Sequence, residues 1–321
     1  MSRSPLLLGL ATVTAVAGIV LAATWAPDLP VASLIPRYAP PPSTFRTIAG
    51  VSVHLRDEGP REDTTPILLL HGTSASLHTW GGWVRALTPT RRVITVDLPG
   101  FGLSGAFADR DYSAPRTARF LLTLLDSLGV RRAVVGGNSL GGRIAWAMAV
   151  ADSSRVDALI LVDAAGYPSQ ATSVPIGFRL ARTPGLRRVA SRLLPRSVIA
   201  SSLRNVYGDP SRVSDSLIDR YYDLARREGN REALLARFSA TGSPADTLAL
   251  RGLRLPTLIL WGGRDRLIPP TDAARFARDI PGSRVVMFEA LGHVPHEEDP
   301  ATTVSAVETF LRTKTVAVPS R

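Results

Sequence analysis

AVVGGNSLGGRIAWAMA, residues 133–149, carries a serine hemmed in by two pairs of glycines, between an apolar run and an alanine-rich run of helical period. A strand that passes through Gly137-Asn138-Ser139-Leu140-Gly141 into a helix must turn very tightly. The serine at the tip then takes a strained conformation that pushes Oγ out of the sheet. Gly137 and Gly141 lack the Cβ that would collide with the turn and with the adjoining strand and helix. The Leu140 N–H falls at a helix N-terminus, where unpaired donors and the helix dipole favour negative charge. This stretch therefore predicts an exposed nucleophile beside an anion-binding helix end.

Short apolar runs recur on both sides of it. PILLLHG (66–72), RRVITVDLPG (91–100), RRAVVGGNS (131–139), VDALILVDAAG (156–166), LPTLILWGG (255–263) and SRVVMFEALGH (283–293) are continuously apolar, as expected of strands covered on both faces. Stretches of helical period separate them, the pattern of a mostly parallel sheet with crossover helices. FRTIAGVSVHLRDEG adds a hairpin turning at Ala49 and Gly50. Between Gly166 and Leu255 the rhythm breaks into helical pattern with turns at Pro184, Pro195, Pro210 and Pro244. That interval reads as a helical lid inserted after the sixth strand, over the strand ends.

A hydroxyl is a poor nucleophile without a base. Of the five histidines, His293 and His296 follow the last strand, in the kind of loop where the chemistry of an open α/β sheet gathers. His293 is the expected base because Leu291-Gly292 can present it from a tight turn. His296, beside Glu297 and Glu298, reads as a solvated or helix-capping residue. The base needs an acid to hold its tautomer. Asp265, in WGGRDRLIPP, supplies it in the chain order Ser, Asp, His, with Asp163 at the end of the preceding strand as rival. The tetrahedral oxyanion needs two N–H donors, expected from Leu140 and from Thr73 in the loop after PILLLHG. His71 in that loop is expected to bond backbone.

The formal net charge of +11 is carried by arginine, with Lys314 the only lysine, and the basic residues are not gathered into a nucleic-acid module. Composition thus argues against nucleic-acid partners. There is no cysteine, which excludes disulfides, thiolate-bound metals and a thiol nucleophile. Neither a metal-ligand cluster nor a dinucleotide glycine pattern stands out, so no metal or cofactor is expected. Leu6 to Ala26 is free of charge over roughly the 20 residues needed to cross a bilayer. Residues 1–26 are therefore expected to be an uncleaved N-terminal membrane anchor, or else a signal segment, with the catalytic domain on the extracytoplasmic side of the cell membrane. Proline-rich residues 27–44 read as a stiff tether. No acidic residue lies between Asp163 and Asp209, while seven arginines punctuate that stretch. A basic, amphipathic lid of this kind suits anionic lipid and an amphiphilic substrate.

With HGTSASLHTW, DLPGFGLS, GNSLGG, WGGRDRLIP and LGHVPHEEDP in this order, the sequence resembles the α/β-hydrolase superfamily over roughly residues 45–313. The resemblance implies an α/β-hydrolase core of residues 45–166 and 251–313, a lid of 167–250 and a C-terminal tail of 314–321. It also implies a serine hydrolase that cleaves carboxylic esters, with Ser139, Asp265 and His293 as catalytic residues and Thr73 and Leu140 as the oxyanion hole. Dehalogenases and epoxide hydrolases of the superfamily carry aspartate where Ser139 stands, so those chemistries are not expected. GNSLGG is similar to the elbow of the meta-cleavage product hydrolases, which cut carbon–carbon bonds, but HGTSAS and Val294 depart from their pattern. That branch is the alternative; a catalytically silent binding protein on the same fold is another.

Overall fold

The apolar runs form the strands of one sheet. The computed structural model describes residues 24–168, 170–183, 193–239 and 247–314. Its strands are β1 (Thr44–Ile48), β2 (Val51–Glu58), β3 (Ile67–Leu70), β4 (Val93–Val96), β5 (Ala133–Asn138), β6 (Val156–Val162), β7 (Thr257–Gly262) and β8 (Arg284–Phe288). The hairpin β1–β2 turns at Ala49 and Gly50, both at positive φ (45° and 81°), which matches the twist of the flanking strands. Spatial order is β1-β2-β4-β3-β5-β6-β7-β8, with β1, β2 and β4 pairing antiparallel and the remaining neighbours parallel.

Ile67 to Leu70 show why the runs are continuously apolar. Leu68 and Leu70 pack on one side with the helices Ala114–Ser127, Leu140–Ala151 and Thr271–Asp279, while Ile67 and Leu69 pack on the other with Gly81–Leu87 and Pro300–Lys314. All four are fully buried, each contributing about 1.5–3 kcal/mol of transfer free energy. The chain runs from β3 outward to β4 and then returns to place β5 on the other flank of β3. Strand order reverses there, and the carboxyl ends of β3 and β5 open a crevice between divergent connections.

The interval between β6 and β7 carries the helices Ile176–Arg182, Arg196–Val206, Asp215–Ala225 and Asn230–Ser239. Of the seven arginines between Asp163 and Asp209, Arg196 is paired with Asp215 and Asp219 and Arg182 lies over the Phe238 ring; Arg187, Arg188 and Arg192 fall outside the described residues.

The N-terminal expectations need correction. Among the described residues no helix is long and apolar enough to cross a membrane; this overturns the expected cell-membrane location and gives the expected membrane partner no support. Residues 1–23 of the expected anchor lie outside the described residues. Its last residues are not free of the insert: Thr24 O accepts from Leu194 N, Trp25 bridges Leu193, and Ala26 is fully buried. Nor is the proline-rich stretch a free tether. Leu29 pairs with Arg226 and Glu228, and a helix, Val31–Tyr38, buries Leu34 and Tyr38 beside Leu103 and Leu224.

Histidines brace the loops at the sheet edge. His71 Nε2 accepts from Leu98 N at 3.0 Å, so Nδ1 donates to Gly72 O at 2.7 Å, a purely structural pairing with backbone. His78 donates from Nε2 to Tyr38 O (2.8 Å) and faces Ser76 Oγ with Nδ1, tying the N-terminal helix to the loop after β3. Burial depresses His78 to about 4. Between pH 6.5 and 4 the unfolded chain therefore binds a proton on this residue that the folded chain refuses, and stability falls with acidification. In urea titrations the wild type should lose roughly 1 kcal/mol more than His78→Gln for each pH unit descended around pH 5. Parallel pH profiles for the two proteins would contradict this.

Candidate active site

β5 ends at Asn138 and the helix Leu140–Ala151 begins one residue beyond Ser139. Ser139 takes φ 53° and ψ −115°, a backbone conformation that residues other than glycine rarely adopt. Its backbone is pinned on both sides, Ser139 N donating to Val162 O and Ser139 O accepting from Ala165 N and Arg143 N, all at 3.0 Å. The two glycines the sequence pointed to are required by contact. A Cβ on Gly141 would sit 2.1 Å from Leu70 O of β3, and one on Gly137 would sit 2.3 Å from the Gly141 carbonyl.

Asp265 follows β7, and His293 follows β8 in the segment before a short helix at Pro295–Glu298. His293 Nδ1 lies 2.7 Å from Asp265 Oδ2, and both side chains are buried. The other carboxylate oxygen, Oδ1, accepts from Leu267 N (2.8 Å) and Ile268 N (3.0 Å), so Asp265 is held in one orientation. Asp163 is close, its carboxylate within 4.8 Å of both partners. The contact to His293 nonetheless belongs to Asp265, while Asp163 Oδ1 accepts from Gly262 N at 3.0 Å. Burial, and then the Asp265 charge, push the Asp163 carboxyl well above the usual range.

Ser139 and His293 line one cavity between the strand ends and the insert, together with Gly72, Thr73 and Ser74. No hydrogen bond joins the Ser139 hydroxyl to His293 among the described residues, and the N–H groups of Thr73 and Leu140 have no acceptor there. Gly72 lets the loop after β3 approach the serine turn: an added Cβ would lie 2.8 Å from Asn138 Oδ1. Phe178, Leu180, Leu194, Val198, Leu203 and Leu234 of the insert are among the apolar walls.

Two positioning groups escaped the sequence reading. Asn138 Nδ2 donates to Val162 O (3.1 Å) and His293 O (2.9 Å), joining the serine strand to the histidine loop. Glu298 accepts from Gly292 N, Gly208 N and Asp209 N at 2.8–2.9 Å, and His293 N donates to Val206 O at 2.7 Å. The histidine loop is thus clamped to the insert. The signal was present in HEED, but its acids look solvated in sequence. His296 is likewise not solvated: it is fully buried, meets Thr79 Oγ1 at 3.0 Å and packs against Trp80 with ring centroids 4.1 Å apart. Burial, then its neighbour His293, hold it well below the ordinary histidine range.

Gly141→Ala should destabilise the fold by about 3 kcal/mol or more, since the new methyl meets backbone that cannot yield. Gly252→Ala, where nothing lies within 4 Å, is the control. Equal urea midpoints for the two variants would refute the close-approach argument.

A family model described as the alpha/beta hydrolase fold matches residues 65–300. The 2-hydroxymuconate semialdehyde hydrolase of Pseudomonas putida is 32% identical over 273 residues, which cover 82% of this chain and 92% of that protein. A meta-cleavage product hydrolase from Pseudomonas fluorescens superposes with a TM-score of 0.73 at 25% identity, over 84% of this chain and 97% of that one. A bacterial membrane phospholipase A superposes with a TM-score of 0.75 at 25% identity, over 98% of this chain and 100% of its own. Sheet order, helices on both faces and the strand–turn–helix at Ser139 agree with these matches, and the chain belongs to the α/β-hydrolase fold family.

Proposed function

We propose that the protein is a serine hydrolase that cleaves carboxylic esters through an acyl-enzyme. The observation that carries this reading is a strained, glycine-flanked Ser139 sharing one cavity with His293, whose far side is held by Asp265. As Ser139 Oγ adds to the ester carbonyl, His293 Nε2 takes its proton. Nδ1–H stays bonded to Asp265, whose charge steadies the imidazolium. The N–H groups of Thr73 and Leu140 donate to the oxyanion. Collapse of the tetrahedral species expels the alcohol, which takes the proton from His293. Water, deprotonated by His293, then attacks the acyl group; collapse returns that proton to Ser139 Oγ and releases the acid. The serine–histidine contact closes when substrate binds, as catalytic hydrogen bonds often do.

The helical insert acts as a lid: it supplies most of the apolar wall, which suits an aliphatic acyl chain. The ester reading draws support from the likeness to a phospholipase A along nearly the whole chain. Carbon–carbon bond hydrolysis by the same residues is the second reading, favoured by the identity to the Pseudomonas putida 2-hydroxymuconate semialdehyde hydrolase. A silent binding protein would turn over neither substrate.

With p-nitrophenyl acyl esters of graded length, Ser139→Ala should lower kcat/KM by about 10⁴-fold or more and abolish labelling by a fluorophosphonate. Labelling that persists in Ser139→Ala would refute the nucleophile. Turnover of a coloured ring-fission dienoate with inert esters would transfer the assignment to the second reading.

A further inference from the structure

The walls of the cavity are apolar almost throughout, and among the described residues lining them Arg231 is the only Asp, Glu, Lys or Arg. Arg231 sits in the first turn of the helix Asn230–Ser239, where the helix dipole disfavours a cation, so helix stability gives no reason for it. Its side chain is 9% exposed. Nη2 reaches Asp28 Oδ1 at 2.5 Å, but Nε and Nη1 are buried without a hydrogen-bond partner. Asp28 is half exposed and belongs to the N-terminal segment that crosses the insert. A buried guanidinium with most of its donors unused, in a cavity that otherwise offers little polarity, is an uncommon arrangement.

We propose that Arg231 is a substrate-recognition residue that binds an anionic oxygen group, a carboxylate or a phosphate, carried by the ester at a distance from its scissile carbonyl. The inference rests on the ester-hydrolase reading of Ser139 and refines its substrate class: an amphiphile whose apolar part fills the cavity and whose charged group meets the guanidinium. Charge-assisted hydrogen bonds of guanidinium to carboxylate or phosphate are among the strong ones, and they gain strength away from water. Asp28 competes for the same cation, so it sets how strongly the cavity prefers an anion. The first helical turn adds its positive end to the field.

The test uses p-nitrophenyl esters of one chain length ending in methyl, carboxylate or phosphate, assayed with the full chain. The quantity read is kcat/KM of each charged ester divided by that of the methyl-ended ester. Arg231→Leu should lower this ratio about tenfold or more, the worth of one charge-assisted hydrogen bond. Arg231→Lys should lower it less, and Asp28→Asn should raise it. The terminus with the larger loss in Arg231→Leu identifies the anion recognised. Ratios that stay within twofold of wild type in both Arg231→Leu and Asp28→Asn would overturn the proposal. A wild type that hydrolyses none of the esters sinks the ester reading instead. In that case binding of the monoanion of a dicarboxylic acid to Ser139→Ala, compared by calorimetry with Ser139→Ala/Arg231→Leu, still decides whether the arginine holds an anion.

Discussion

The contact on which the site depends is between two pieces of backbone. Leu70 O, at the end of β3, comes so near the Cα of Gly141 that no larger residue fits, and Gly137 meets the same turn from within. That approach lets the helix after β5 start immediately beyond Ser139 and holds the serine at positive φ. One further strand, β6, holds the turn through Val162 O, which accepts from Ser139 N, and the Leu70–Gly137 register fixes β3 against β5. A strained residue persists only where its surroundings over-determine it, and here they come from β3, β5 and β6 together.

The histidine is positioned differently. No strain holds it; a web of polar contacts does. Asp265 takes Nδ1, Val206 O takes the backbone N–H, and Asn138 takes the carbonyl. Glu298 then binds the adjoining N–H groups of both the histidine loop and the segment after Val206. The insert is therefore part of the scaffold that aims the imidazole as well as a wall of the cavity. Asp163 is buried beside this pair, but the carboxylate bonded to the histidine is that of Asp265.

The N-terminal segment belongs to the same assembly. Residues 24–38 satisfy their polar groups on the insert, through Leu194, Arg226, Glu228 and Asp223, and bury Ala26, Leu34 and Tyr38. His78 joins this segment to the loop that carries Thr73. Serine turn, histidine loop, insert and N-terminal segment thus form one connected set of contacts around the cavity.

Strand positions, the hairpin at Ala49-Gly50, the serine turn and the order Ser139, Asp265, His293 were legible in the sequence, because each rests on local chemistry: continuous apolar runs, glycines where backbone crowds, and loops that follow strands. Asp265 was chosen over Asp163 as the partner of His293 from chain order, and the contact itself, Nδ1 to Oδ2 at 2.7 Å, is a matter of tertiary geometry. The burial of His296 and Glu298, the grip of Asn138 on the histidine loop, the docking of residues 24–38 and the placement of Arg231 in the cavity were likewise decided by the fold. Each depends on contact between segments distant in the chain. A charged or polar side chain reads as solvated until packing removes its water and supplies partners that sequence spacing does not reveal.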